Sequence, residues 1–138
     1  MNDTARESTD DLIPHAPDPG AEGVPPGFKL LQRGGPFFLS LGPLYVRRSE
    51  LPGQPLVIAL RVSDKHTNML GITHGGMLVT LADGAMGINL SMLRDPSEAM
   101  VSVHLSSDFI GSARIGDWME AHVRVTRQGR RISFADCE

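Results

Sequence analysis

A single cysteine, Cys137, in 138 residues rules out an internal disulfide framework and fits a reducing, cytoplasmic compartment. Aromatic residues make up only 5%, too few for a platform that stacks single-stranded nucleic acid. Positive charge is not in excess either: the formal net charge of -3 leaves no basic face for a phosphate backbone. No apolar run is long enough to cross a bilayer, and the N-terminus lacks the basic start and apolar stretch of a signal peptide. The five histidines do not fall at metal-ligand spacing, and no cysteine or carboxylate cluster joins them, so no metal site is expected. Ser102 and Ser106 lack the Gly-x-Ser-x-Gly elbow of serine hydrolases. A soluble protein with neither nucleic-acid nor membrane partner remains.

The length allows one domain. Residues 1–26 are acidic and rich in Pro and Gly, unable to bury enough apolar surface to offset ordering, and read as a disordered tail. The folded domain is expected over 27–138. A short apolar segment from Gly27 to Leu41, interrupted by Gly34, Gly35 and Pro36, holds one or two helical turns. Leu44–Arg47 and Leu56–Val62 read as a hairpin across the turn at 51–55. The strongest helix runs from Thr73 to about Leu93, with Leu78, Leu81, Ala82, Ala85, Asn89 and Met92 at helical spacing. Its other side is also apolar, as in a helix enclosed by protein. Gly84 and Gly87 are expected where another backbone packs closely. Strands follow over Met100–Ile110, Trp118–Arg127 and Arg130–Cys137. The order implies an α+β fold, a curled antiparallel sheet wrapped around one long central helix. Sequence ending inside a strand implies an edge covered by a partner, or a fragment.

Two features carry chemistry. Gly75-Gly76 opens the long helix, where bare N–H groups at the positive end of the helix dipole would stabilise an anion or a carbonyl oxygen gaining charge. For Gly-Gly alone, a flexible loop or close packing explains it as well. Asp83 sits mid-helix with Val79, Met86, Gly87 and Leu90 on its face, and no basic residue lies within a turn. Burial there should raise its pKa, which suits a general base or nucleophile. Alternatively it bonds to backbone, or to the Thr80 or Asn89 side chain. Asp83 lies about 12 Å along the axis from Gly75, beyond the reach of a general base. If both serve one reaction, Asp83 must come from a second, antiparallel helix, giving a two-fold dimer with two composite sites.

Asn68, His74-Gly75-Gly76 and Asp83 within Leu81-Ala82-Asp83-Gly84-Ala85 together resemble the hotdog-fold acyl-CoA thioesterases. The branch is that of the phenylacetate-pathway and 4-hydroxybenzoyl-CoA thioesterases. Val101 to Leu105, Phe109, Ala113, Gly116-Asp117 and Arg127-Gln128-Gly129-Arg130 resemble the same family's strand and turn signature. The resemblance implies hydrolysis of an acyl-CoA thioester by a homodimer or homotetramer without a prosthetic group. It implies that the Gly75 N–H, with Gly76, polarises the thioester carbonyl, that Asn68 holds the thioester or the water, and that Asp83 is base or nucleophile. Ser102 matches a position that orients the water, and His74 one that shapes the loop. His74, Gly76 and Met77 are carried over as substrate contacts, although Met69, Met77 and Met86 serve equally well as core filling. Arg127, Arg130 and Arg131 could meet CoA phosphates or form a solvated strand end. Members of the family continue into more C-terminal strand than is present here. Two alternatives stay open: an enoyl-thioester hydratase or dehydratase on the same fold, and a non-catalytic acyl-CoA-binding protein.

Overall fold

The computed structural model describes residues 23–51, 55–96 and 98–138. The tail up to residue 22 and the middle of the turn at 52–54 lie outside them. The elements follow in the order β1 (Lys29–Leu30), α1 (Gly35–Leu39), β2 (Leu44–Arg48), β3 (Leu56–Arg61), α2 (Gly75–Ser91), β4 (Trp118–Arg127) and β5 (Phe134–Cys137). A one-turn 3-10 helix, Asp64–His66, lies between β3 and α2. All five strands pair antiparallel with their sequence neighbours, in the order β1-β2-β3-β4-β5. The β2–β3 hairpin pairs Val46 with Ile58, and β3–β4 pairs Ile58 with Ala121, so three small or β-branched residues line up across the sheet's inner face.

The core forms between that face and α2. Val46, Ile58, Leu60 and Val123 from the strands meet Met77, Leu81, Ala85 and Ile88 from the helix. Those helix positions recur at intervals of three and four, one stripe of a 3.6-residue period. Burying each large aliphatic side chain contributes roughly 1.5–3 kcal/mol, so this layer supplies most of the driving force. Asn89 is polar, wholly buried, and fully satisfied. Its side-chain amide donates to Leu56 O and Ala85 O at 3.1 and 2.9 Å, while its Oδ1 accepts from Leu56 N at 2.9 Å. The carboxamide therefore takes the hydrogen-bonding positions at Leu56 that a neighbouring strand would take.

Several expectations need correction. The helix is not enclosed on all sides: Leu78, Val79, Ala82, Met86 and Leu90 are only half-buried and Gly87 is exposed, because the sheet of one chain covers one face alone. Met100–Ile110 is not a strand here. A strand requires a ladder partner, and among the described residues this segment has none, leaving Val101 and Val103 83% and 79% exposed. Gly84 is approached by a ring rather than a backbone: a Cβ placed there would lie 2.2 Å from Phe38 Cε2. Gly87 faces open space. The last strand begins at Phe134 rather than Arg130, after a register shift between Val125 and Arg127.

The outer face of the sheet carries an aromatic cluster. Trp118 meets the rings of Phe28 and Tyr45 with centroids 5.1 and 5.4 Å apart, and the Arg61 guanidinium lies 5.3 Å from its centre. Trp118 thus fastens the segment leading into β1 to the start of β4, with its indole N–H donating to Glu120.

Candidate active site

The approach to α2 is built by side chains that hold backbone. Asn68 Oδ1 accepts from Leu70 N at 2.9 Å and Ile72 N at 3.5 Å, while Gly71 N donates to Asn68 O, closing a tight loop. Gly71 stands at φ 70 in that loop, where a side chain would be strained. His74 is the N-cap of α2, in extended conformation, and its Nδ1 accepts from Gly76 N at 2.9 Å. Met77 N and Leu78 N bond to His74 O. Of the first amides of the helix, the Gly75 N–H is engaged by no acceptor among the described residues. It stands at the end of a 17-residue helix, where amides and dipole favour negative charge. The Phe109 ring lies over it, with a Cβ at residue 75 falling 3.2 Å from the ring edge.

Asp83 lies two turns further along, on the helix face turned away from the sheet. It is half-buried, and its partner is Ser102, whose hydroxyl donates to Oδ1 at 2.5 Å. Neither alternative partner is used: Thr80 Oγ1 donates to Gly76 O, and Asn89 is occupied at Leu56. The segment carrying Ser102 runs back along α2 toward its N-terminus. Ser102 meets Asp83, Phe109 covers Gly75, and Ala113 O accepts from Thr73 N at 2.9 Å.

The structure thus brings Asp83 together with Ser102, and His74 with Gly75 and Gly76. It does not bring the two groups together within one chain, since eight residues of helix separate Gly75 from Asp83, about 12 Å. The Asn68 carbonyl is turned into its own loop. Met77 packs into the core at 7% exposure, about 120° around the helix from Asp83. His66 was not singled out from the sequence, yet it is 2% exposed and hydrogen-bonded at both ring nitrogens beneath the loop. Its short spacing to Ser63, a capping-box position, was the available signal.

A cavity of about 440 Å³ opens at the opposite end of α2, lined by Leu51, Leu93, Val125 and Arg127; of the candidate residues it holds Arg127, a candidate CoA contact, and none of the catalytic candidates. Among the described residues no group of three or more His, Cys, Asp or Glu could hold a metal ion, and no helix is long and apolar enough to cross a membrane. Burial pushes the Cys137 thiol up to about 11.

Residues 70–138 match the profile of the Thioesterase superfamily. A Pseudomonas aeruginosa protein assigned provisionally as an esterase is 46% identical over 112 residues, 81% of this chain and 82% of that one. Mouse acyl-coenzyme A thioesterase 13 is 29% identical over 62% of this chain, and the match spans 60% of the mouse protein's length. Zebrafish thioesterase superfamily member 2 superposes with a TM-score of 0.60 at 31% identity, covering 68% of this chain and 66% of that one. A thioesterase related to phenylacetic acid degradation, from Ralstonia eutropha, superposes at 0.66 with 19% identity, over 75% of this chain and 78% of that one, and bears on the fold alone. Five antiparallel strands packed on one long helix, headed by two glycines, make this chain a hotdog-fold enzyme that belongs to the thioesterase superfamily.

Proposed function

We propose that the chain hydrolyses an acyl-CoA thioester to the free acid and CoA, as a homodimer or as a homotetramer of two such dimers. Each active site pairs Gly75 of one chain with Asp83 of its partner. The observation that carries this reading is the separation of two prepared groups: an unengaged amide at a helix N-terminus, and a half-exposed carboxylate about 12 Å along the same helix. A two-fold axis between antiparallel helices brings one chain's carboxylate opposite the other's amide. The half-buried apolar face of α2, with exposed Gly87 at its centre, supports close approach of a second helix.

In such a site the thioester carbonyl oxygen lies against Gly75 N–H, which stabilises the negative charge that develops as the carbon becomes tetrahedral. Asp83 takes a proton from the attacking water, and Ser102 holds that carboxylate in one orientation. As the C–S bond breaks, the sulfur leaves as thiolate and receives the proton. Direct attack by Asp83 would instead form an anhydride that water then opens. When water opens the anhydride at the Asp83 carbonyl, a single turnover in ¹⁸O-water separates these, because the first label then stays on Asp83 instead of entering the released acid. Asn68, through side-chain amide N–H groups that meet no acceptor among the described residues, His74 and Gly76 line the approach. Met77 enters this reading only as the core support beneath the glycines. A hydratase needs a His and an Asp working side by side, whereas His74 is committed to capping the helix and Asp83 to Ser102. The lone cysteine supports a cytoplasmic location.

Two variants test the composite site. Gly75→Pro removes one N–H at a position that suits proline, the first of the helix, after His74 at φ -71 and ψ 132, and asks the Phe109 ring, 3.2 Å from a Cβ there, to give by a few tenths of an ångström. Asp83→Asn removes the base. Each alone should lose about 100-fold or more in kcat. Mixing them after subunit exchange should restore about a quarter of wild-type activity, since half the dimers are hybrids with one intact site each. No recovery in proven hybrids rejects the shared site, and full activity of Asp83→Asn rejects the hydrolytic role.

A further inference from the structure

We propose that His66 is a positioning residue for the Gly75 amide, acting through the backbone of His74. The inference rests on the reading of Gly75 as the group that polarises the thioester.

The imidazole is buried at the junction of three segments. Its Nδ1 accepts from Ser63 N at 2.9 Å, at the end of the β3 strand. A backbone N–H can only donate, so Nδ1 is unprotonated and Nε2 carries the hydrogen. That hydrogen goes to Leu41 O, 2.7 Å away, in the loop between α1 and β2. The neighbouring Lys65 adds a second tether to the same loop, its Nζ donating to Ser40 O at 2.9 Å and Gly42 O at 2.6 Å. The main chain of His66 faces the other way. Its carbonyl accepts from His74 N at 2.8 Å.

From there the sequence of contacts reaches the site. His74 N is held by His66 O, His74 Nδ1 takes the Gly76 N–H, and His74 O takes those of Met77 and Leu78. The amide left open is that of Gly75. Which amide stays open, and where it points, therefore depends on His74 being held by a carbonyl whose own residue is locked by its ring. Removing the ring bonds takes from Leu41 O and Ser63 N their partner in a partly buried place, and frees the loop 64–74 to shift. A shift of about 1 Å at a catalytic group costs on the order of 100-fold in rate, so the loss should fall on kcat.

The test compares purified, folded variants against an acyl-CoA panel, with Asp83→Asn assayed alongside. His66→Leu should lower kcat by about 10–100-fold with KM within about threefold. His66→Gln, which can still donate to Leu41, should retain more than His66→Leu. ¹H–¹⁵N spectra should show the Gly75 and Gly76 amides displaced in the leucine variant. A merely structural role would lower the melting temperature while leaving kcat per folded molecule and those two amide signals unchanged, and that result overturns the proposal. If His66→Leu does not fold, His66→Asn takes its place, able to reach Ser63 but not Leu41. Wild-type kcat there overturns the proposal, and a loss confined to kcat upholds it. If neither folds, ¹⁵N signals of the wild-type imidazole decide: hydrogen on Nε2 upholds the arrangement, and hydrogen on Nδ1 overturns it. Full activity of Asp83→Asn sinks the hydrolytic reading itself, whereas its loss beside an unimpaired, folded His66→Leu sinks only the role of His66.

Discussion

Replacing Gly84 by alanine should destabilise the protein, although alanine is the better helix former. The gain in helix propensity is about 1 kcal/mol. Against it stands the ring of Phe38, 5% exposed, whose Cε2, Cδ2 and Cζ atoms would lie 2.2, 2.4 and 2.6 Å from the new methyl. Ordinary contact begins near 3.4 Å, so the ring has to retreat by more than 1 Å. Its retreat is restricted, because the ring is buried and its opposite edge lies close to Gly34, where a Cβ would fall 2.4 Å from Cδ1. Phe38 is held between two glycines. Overpacking of this kind costs roughly 1–3 kcal/mol, and a trapped ring belongs at the upper end. The net expectation is a loss of about 1–2 kcal/mol, a drop in melting temperature of roughly 3–10 °C for a domain of this size. Urea denaturation at fixed protein concentration measures it directly, since any subunit association makes stability concentration-dependent. Gly84→Ala combined with Phe38→Leu should be more stable than the sum of the single changes by at least about 1 kcal/mol. Gly87→Ala, with nothing within 4 Å, is the control and should cost nothing in the separated chain. A Gly84→Ala protein as stable as wild type, or strict additivity in the double variant, refutes the reasoning.

Other consequences can be measured independently. Asn89→Leu leaves Leu56 N and O without partners in a fully buried place, and unfolding experiments should find a loss of about 2–5 kcal/mol. Cys137 stays a neutral thiol until pH approaches its raised value of about 11, above the ordinary 9.0. At pH 8 its alkylation in the folded protein should be about 100-fold slower than that of an unfolded control, rising steeply between pH 9 and 11. Equal rates at pH 8 would contradict the burial of that sulfur.

Where local pattern decides structure, the sequence was legible. The hairpin over residues 44–61 follows from its β-branched and apolar runs, and the long helix from its 3.6-residue spacing. Boundaries there differ by about two residues. Where a partner decides, it was not. Residues 100–110 alternate like a strand, yet alternation specifies a face and not a neighbour, and among the described residues the chain's own sheet supplies none. The helix's second apolar face misleads in the same way: composition says that it wants cover, not what supplies it. At the site, Asp83 and the glycines are recognisable because a mid-helix carboxylate and a Gly-Gly helix start conflict with local preference. Ser102 was picked out by the family resemblance alone, as a residue that orients the water, and its contact with Asp83 across 19 residues left no local mark. His66 escaped notice because a buried histidine with both nitrogens satisfied leaves no mark in the sequence beyond its spacing to Ser63.

An interface made only of aliphatic side chains has many near-equivalent ways to fit, and a rod lying on it could slide by a turn at little cost. The amide of Asn89 removes that freedom, since its two bonds to Leu56 across the interface can be made at one axial setting only. The distances from that peg to residue 83, six positions away, and residue 75, fourteen positions away, are then set by helix rise alone: about 9 and 21 Å. A polar residue at the far end of the rod thereby acts as the datum from which both candidate groups are measured, and on the proposed function changes there should reach the chemistry without touching it.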